Sequence, residues 1–178
     1  MQLNSGTTVV LGMGNLIHSD DGVGVHAVQR LQSDRRVPPG VLLLDGGTLG
    51  LTLLNRVGGA QRLLVIDAVD TGSPAGTLVR LEGKELRGRP GSGSVHQLGF
   101  ADLLAALSIT EQEPQELVVL GIQPGSTDLG ISLSPSVAAV LDQVVEAATT
   151  QLATWAQPAG VDKTRGTVSA GREVACTN

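Results

Sequence analysis

The chain has 178 residues and a net charge of −5, with one Phe, one Trp and no Tyr. The negative balance argues against a phosphate-backbone partner, and the missing aromatic faces argue against a base-stacking platform for single strands. The single cysteine, Cys176, rules out an internal disulfide framework and a cysteine zinc site.

The first residues lack a basic stretch followed by an apolar one, and no apolar run approaches membrane-spanning length. The expectation is a cytoplasmic monomer with no membrane and no nucleic-acid partner. One domain is expected over residues 1–155, followed by a disordered tail over 156–178, where the sequence turns polar and loses its period.

Thr8-Val9-Val10-Leu11 reads as a short buried strand, and Val25, Val28 and Leu31 read as one face of a helix. Between them runs Gly12-Met13-Gly14-Asn15-Leu16-Ile17-His18-Ser19-Asp20-Asp21-Gly22-Val23-Gly24, a crossing that sets two adjacent carboxylates at the helix mouth. Its glycines suit a place where the backbone is approached closely. Val41-Leu42-Leu43-Leu44 is a second apolar strand, ending at Asp45-Gly46-Gly47-Thr48, with Thr48 as expected N-cap of a short helix carrying Leu51, Leu54 and Val57. Gly58-Gly59 stops that helix. Leu63-Leu64-Val65-Ile66 is a third strand, ending in Asp67.

Gly76–Leu81 alternates in polarity and follows the third strand too closely for a helical crossover, so it reads as an antiparallel edge strand. The stretch from Glu82 to Val95 is rich in Gly, Arg, Ser and Pro; it reads as a mobile loop that orders when a partner docks. After His96 comes a helix with Phe100, Leu103, Leu104 and Leu107 on one face, then a strand at Leu117–Leu120. Ser134-Pro135 opens the last helix, whose stripe is Val137, Val140, Leu141, Val144, Val145, Ala148 and Leu152. Continuous apolar strands alternating with helices predict an α/β fold: a three-layer α/β/α sandwich around a mostly parallel sheet.

In such sheets ligands bind beyond the carboxyl ends of the strands. Asp20, Asp21, Asp45 and Asp67 converge on that rim, and the connection bearing His96 can return to it. Two carboxylates and an imidazole suit a divalent cation with positions left open. Crowded buried carboxylates without a cation raise one another's pKa. Simpler roles compete: Asp20 as a first-turn acid favoured by the helix dipole, Asp67 as a turn residue, His96 as an ordinary loop histidine. His18 and His26 carry no specific signal, although His18 lies near the rim.

Two other folds share parts of this spacing. Gly12-x-Gly14 with Asp45 fits half of a dinucleotide fingerprint, but Ile17 stands where the third glycine belongs, and Asp20-Asp21 would repel a pyrophosphate. A phosphoacceptor receiver domain needs a lysine where this chain has Gly121-Ile122-Gln123-Pro124.

Taken together, Gly12-Met13-Gly14-Asn15, Asp20-Asp21-Gly22-Val23-Gly24, Asp45-Gly46-Gly47-Thr48, Ile66-Asp67-Ala68 and His96-Gln97-Leu98-Gly99 resemble the hydrogenase maturation endopeptidases of [NiFe] hydrogenases. The resemblance runs in order from Val9 to Leu152. It implies a five-stranded sheet and an aspartyl-type endopeptidase that removes a C-terminal extension from the hydrogenase large-subunit precursor after nickel insertion. It further implies that Asp21, Asp67 and His96 bind metal and are catalytic, engaging nickel presented by the precursor. Gly14, Asn15, Asp45, Gly46 and Gly47 are the expected substrate contacts. Whether a metal ion also resides in the resting enzyme is left open. A non-catalytic nickel metallochaperone is the alternative, since no Ser or Cys nucleophile is evident; the small number of His and Cys speaks against it.

Overall fold

The computed structural model describes residues 6–82 and 95–157, with side chains from residue 99 onward in the second segment. Five strands, β1 (Thr8–Met13), β2 (Leu42–Gly47), β3 (Arg62–Ala68), β4 (Leu78–Glu82) and β5 (Glu116–Ile122), form one sheet in the order β2-β1-β3-β5-β4. All neighbours are parallel except β4, which runs antiparallel to β5 at the edge. This is the expected architecture, with strands slightly longer than their apolar runs. Asp45 and Asp67 therefore sit inside the ends of β2 and β3.

The strands alternate strictly between two cores, as a pleated sheet requires. Val10, Leu64, Ile66, Leu120 and Ile122 face helices α1 (Val23–Leu31) and α5 (Leu141–Ala156). Val9, Leu11, Leu63, Val65 and Val119 face the short α2 (Leu54–Val57) and α3 (Val95–Ile109), which contributes Leu103 and Leu107. Because both faces are covered, the three central strands read as unbroken apolar runs.

Three local expectations are corrected. Thr48 caps nothing: the segment after β2 starts as a 3-10 turn at Gly50–Leu53, entered through Leu49, with no side-chain cap. That tighter winding rotates the phase, so Leu53 is buried and Leu51 exposed. The last helix is two, because Ala139 and Val140 form a turn between α4 (Pro135–Ala138) and α5, with Val140 at φ −103° and ψ −2°. The break coincides with the Gly76 turn, which is so close that an added Cβ would stand 2.7 Å from the Ser136 carbonyl. Ser134 and Pro135 do open α4, the serine Oγ accepting from Val137 N.

No helix among the described residues is long and apolar enough to cross a membrane. The expected loop over 83–94 and the tail over 158–178, with Cys176, lie outside the described residues.

Candidate active site

In this strand order the chain leaves β1 toward β2 on one side, while β3 lies on the other. The gap between the carboxyl ends of β1 and β3 is the switch point where open α/β sheets bind ligands. The crossing after β1 fills one side of it. Its glycines are there for contact: a Cβ at Gly24 would stand 2.1 Å from the Ile66 carbonyl oxygen and 2.5 Å from that of Met13. A Cβ at Gly12 would stand 2.3 Å from the Gly24 carbonyl oxygen. The first turn of α1 therefore rests with its main chain directly on β1 and β3.

Gly14, at φ +120°, is in a conformation that side chains rarely adopt, and a Cβ there would stand 1.7 Å from the Asp21 carbonyl oxygen. The next amide, Asn15 N, donates to Asp21 Oδ2 at 2.8 Å. Asp21 is thus held from two sides by the crossing it belongs to, and it is buried at 6% exposure.

Asp67 ends β3 on the other side of the gap, 3% exposed. Burial pushes its carboxyl up to about 8; the Ala68 N–H, donating to Oδ1 at 2.8 Å, pulls the other way, and the Asp21 charge adds to the rise. Asp67 is therefore protonated at neutral pH beside a second carboxyl group, chiefly through burial, with crowding by Asp21 the lesser cause.

Asp45 is exposed at the β2 corner, where it accepts from Gly47 N at 3.0 Å, and Gly47 adopts φ +45°. Gly46 is buried, with Leu11 Cδ1 where its Cβ would go, and Gly14 N donates to Gly47 O at 3.0 Å. Gly14, Asn15 and the Asp45-Gly46-Gly47 corner thus form one continuous edge beside the carboxylate pair. His96 belongs to the first turn of α3, and its side chain lies outside the described residues. One turn on, Gly99 Cα lies 3.3 Å from where a Cβ on Gly50 would stand, so α3 starts against the turn that follows β2. Among the described residues no group of three His, Cys, Asp or Glu side chains gathers as a metal site.

The residue that sequence reasoning misjudged is Asp20. It caps no helix. Fully buried, it accepts from Gly125 N (2.8 Å) and Ser126 N (2.9 Å) at Oδ2 and from Ser134 N (2.6 Å) at Oδ1. Burial alone would raise its carboxyl, but the Ser134 hydroxyl and the three amides outweigh it and hold the group below the usual carboxylate range. Its partners lie more than a hundred residues away, and no local pattern announces them. His18 joins the same contact, its Nδ1 lying 3.0 Å from Thr127 O.

A family model described as hydrogenase maturation protease matches residues 25–151. The chain belongs to the hydrogenase maturation protease family. Curated relatives agree: it is 38% identical over 161 residues to the hydrogenase expression/formation protein HupD of Rhodobacter capsulatus, covering 89% of this chain and 75% of that one. It is 36% identical over 140 residues to the hydrogenase 2 maturation protease of Escherichia coli (78% of this chain, 85% of that one). Among solved structures, the hydrogenase maturating endopeptidase HybD from E. coli matches with a TM-score of 0.79 at 33% identity, over 84% of this chain and 94% of that one. The maturation-protease fold therefore brings Asp21 and Asp67 to the switch point, flanked by the glycine corner expected to touch substrate.

Proposed function

We propose that this maturation protease is the endopeptidase that removes the C-terminal extension of a [NiFe] hydrogenase large-subunit precursor once nickel is in place, and that Asp21, Asp67 and His96 carry the reaction. The observation that supports this most is the buried carboxyl pair, with Asp67 held protonated at neutral pH next to the Asp21 charge. Two carboxyl groups whose environments differ can divide acid and base roles. Asp21 takes the proton of the attacking water, and Asp67 gives its proton to the leaving amide nitrogen. No serine or cysteine nucleophile is required.

Nickel enters as cargo of the precursor. Oxygen donors from Asp21 and Asp67 with the His96 imidazole suit a divalent cation, and a cation set between the carboxyl groups relieves the repulsion that helps raise Asp67. This links cleavage to a loaded precursor: the cation settles between the two carboxyl groups as the Asp67 proton passes to the leaving amide nitrogen. Gly14, Asn15, Asp45, Gly46 and Gly47 contact the segment being cut.

The deciding experiment incubates the purified protein with nickel-loaded and nickel-free precursor and follows precursor mass. Loss of the C-terminal extension from the loaded form, abolished in Asp21→Asn, Asp67→Asn and His96→Ala, is the expected result. An unchanged mass with nickel passing between the proteins would instead favour a carrier. His96→Ala that lowers thermal stability yet cleaves normally would assign that residue to structure.

A further inference from the structure

The exposed large hydrophobic residues are not scattered. Among the described residues Ile17, Leu49, Leu51, Ile109, Leu129 and Ile131 are the ones left in solvent, each more than half exposed. All but Ile109 lie on the carboxyl rim of the sheet. Backbone hydrogen bonds tie their segments together: Gly14 N to Gly47 O at 3.0 Å, Gly130 N to Ile17 O at 3.0 Å, and Ser19 N to Gly130 O at 2.8 Å. Ile17 therefore stands between the corner that leads to Leu49 and Leu51 and the loop that carries Leu129 and Ile131.

That loop is held rigidly. It runs from β5 to α4, and the buried Asp20 carboxylate fastens it at both ends, at Gly125 and Ser126 and again at Ser134. Ser19 accepts a φ of +49°, unusual for a side chain, to make the pairing with Gly130. A loop fixed by a buried charge and a strained residue, with two aliphatic side chains turned outward, is built to present them. Rigid apolar groups rimmed by polar ones mark protein-docking surfaces, and preorganisation lowers the cost of binding.

We propose that Ile17, Leu49, Leu51, Leu129 and Ile131 form the docking surface for an apolar face of the folded large-subunit precursor. This rests on the proteolytic reading above. Continuity with the carboxyl pair selects the occupant: a protein seated on this rim delivers its C-terminal segment to Asp21 and Asp67. Two cavities lie away from this rim. One of 620 Å³ lies between β4 and α5, and one of 900 Å³ lies among β4, α3 and α5; neither is lined by Asp21, Asp67 or a rim residue. Selectivity then comes from a surface that recognises a folded partner, and Asp20 is a positioning residue for one wall of it.

The test compares wild type with Leu129→Ser/Ile131→Ser, Leu49→Ser/Leu51→Ser and, as an off-rim control, Ile109→Ser. Each is checked by thermal melting and sedimentation, then assayed by steady-state cleavage of purified nickel-loaded precursor. Each rim double variant should melt like wild type and raise KM about tenfold or more, the scale of losing interface anchors, with the loss on KM and not on kcat. Ile109→Ser should behave as wild type. Wild type that cleaves while both rim variants keep its KM overturns the docking surface and leaves the proteolytic reading intact; wild type that does not cleave overturns that reading first. A concentration-dependent dimer that dissociates in the rim variants would assign the surface to a second copy of this chain and also overturn the proposal.

Discussion

Asp67 makes the structure testable without any substrate. In the unfolded chain its carboxyl ionises near the ordinary aspartate value of 3.8, whereas burial beside Asp21 pushes it up to about 8 in the fold. A carboxyl with a raised folded pKa favours folding at low pH; that stability is fully present below the unfolded value and is lost as pH rises through the folded one. At about 1.4 kcal/mol per pKa unit, the penalty is roughly 1–2 kcal/mol at pH 5 and roughly 5–6 kcal/mol above pH 8. Either figure is an upper bound for a pair that can relax, yet the second rivals the entire stability of an ordinary domain, about 5–15 kcal/mol. Asp67→Asn keeps the shape and removes the ionisation. It should therefore be more stable than wild type by several kcal/mol at pH 8.5, and by much less at pH 5, while losing all cleavage. Urea unfolding in chelator-treated buffer at pH 5, 7 and 8.5 measures this directly. Parallel stability–pH curves for the two proteins would refute the buried, protonated assignment.

Other substitutions probe the frame. Gly24→Ala forces a methyl group to within 2.1 Å of the Ile66 carbonyl, so α1 must lift from the sheet; a cost of at least about 3 kcal/mol is expected by thermal melting, the upper end for overpacking. Asp20→Asn exchanges a charged acceptor of three amides for a neutral one and should cost about 2–3 kcal/mol, with faster hydrogen exchange at Ser126 and Ser134. Leu103→Ala empties a fully buried site under α3 and should cost about 2–5 kcal/mol in urea unfolding. In contrast, Arg30→Ala removes only an exposed ion pair with Asp142 and should shift stability by less than about 1 kcal/mol.

The fold was largely legible because parallel strands buried on both faces leave an unmistakable trace: Val9–Leu11, Leu42–Leu44 and Leu63–Ile66 contain no polar residue. The alternation of Gly76–Leu81 likewise marked β4, the edge strand that runs antiparallel. Local chemistry was legible where it acts locally, as with Ser134-Pro135 opening α4. What failed depended on winding or distance. Thr48 had the right identity for a cap, but the chain enters its helix two residues later through a 3-10 turn at Gly50, whose φ of +47° shifts every following side chain. Asp20 looked like a helix-dipole acid because its true partners, Gly125, Ser126 and Ser134, are far along the chain. The pairing of Asp21 with Asp67 could be anticipated from strand ends alone. The depth of Asp67's burial, which sets its protonation, needed the packing around it.

The contact of Gly12 and Gly24 with the sheet has a mechanical meaning. At the first turn of α1 main chain touches main chain, so the spacing at Gly24 is set by backbone, while the rest of the helix packs on the sheet through side chains. Asp21, three residues before that contact, is seated beside it and accepts the Asn15 amide. Neighbouring aliphatic layers can drift in composition without dragging that oxygen donor out of alignment, and a lineage could rebuild most of its interior while the cutting edge keeps its tolerance.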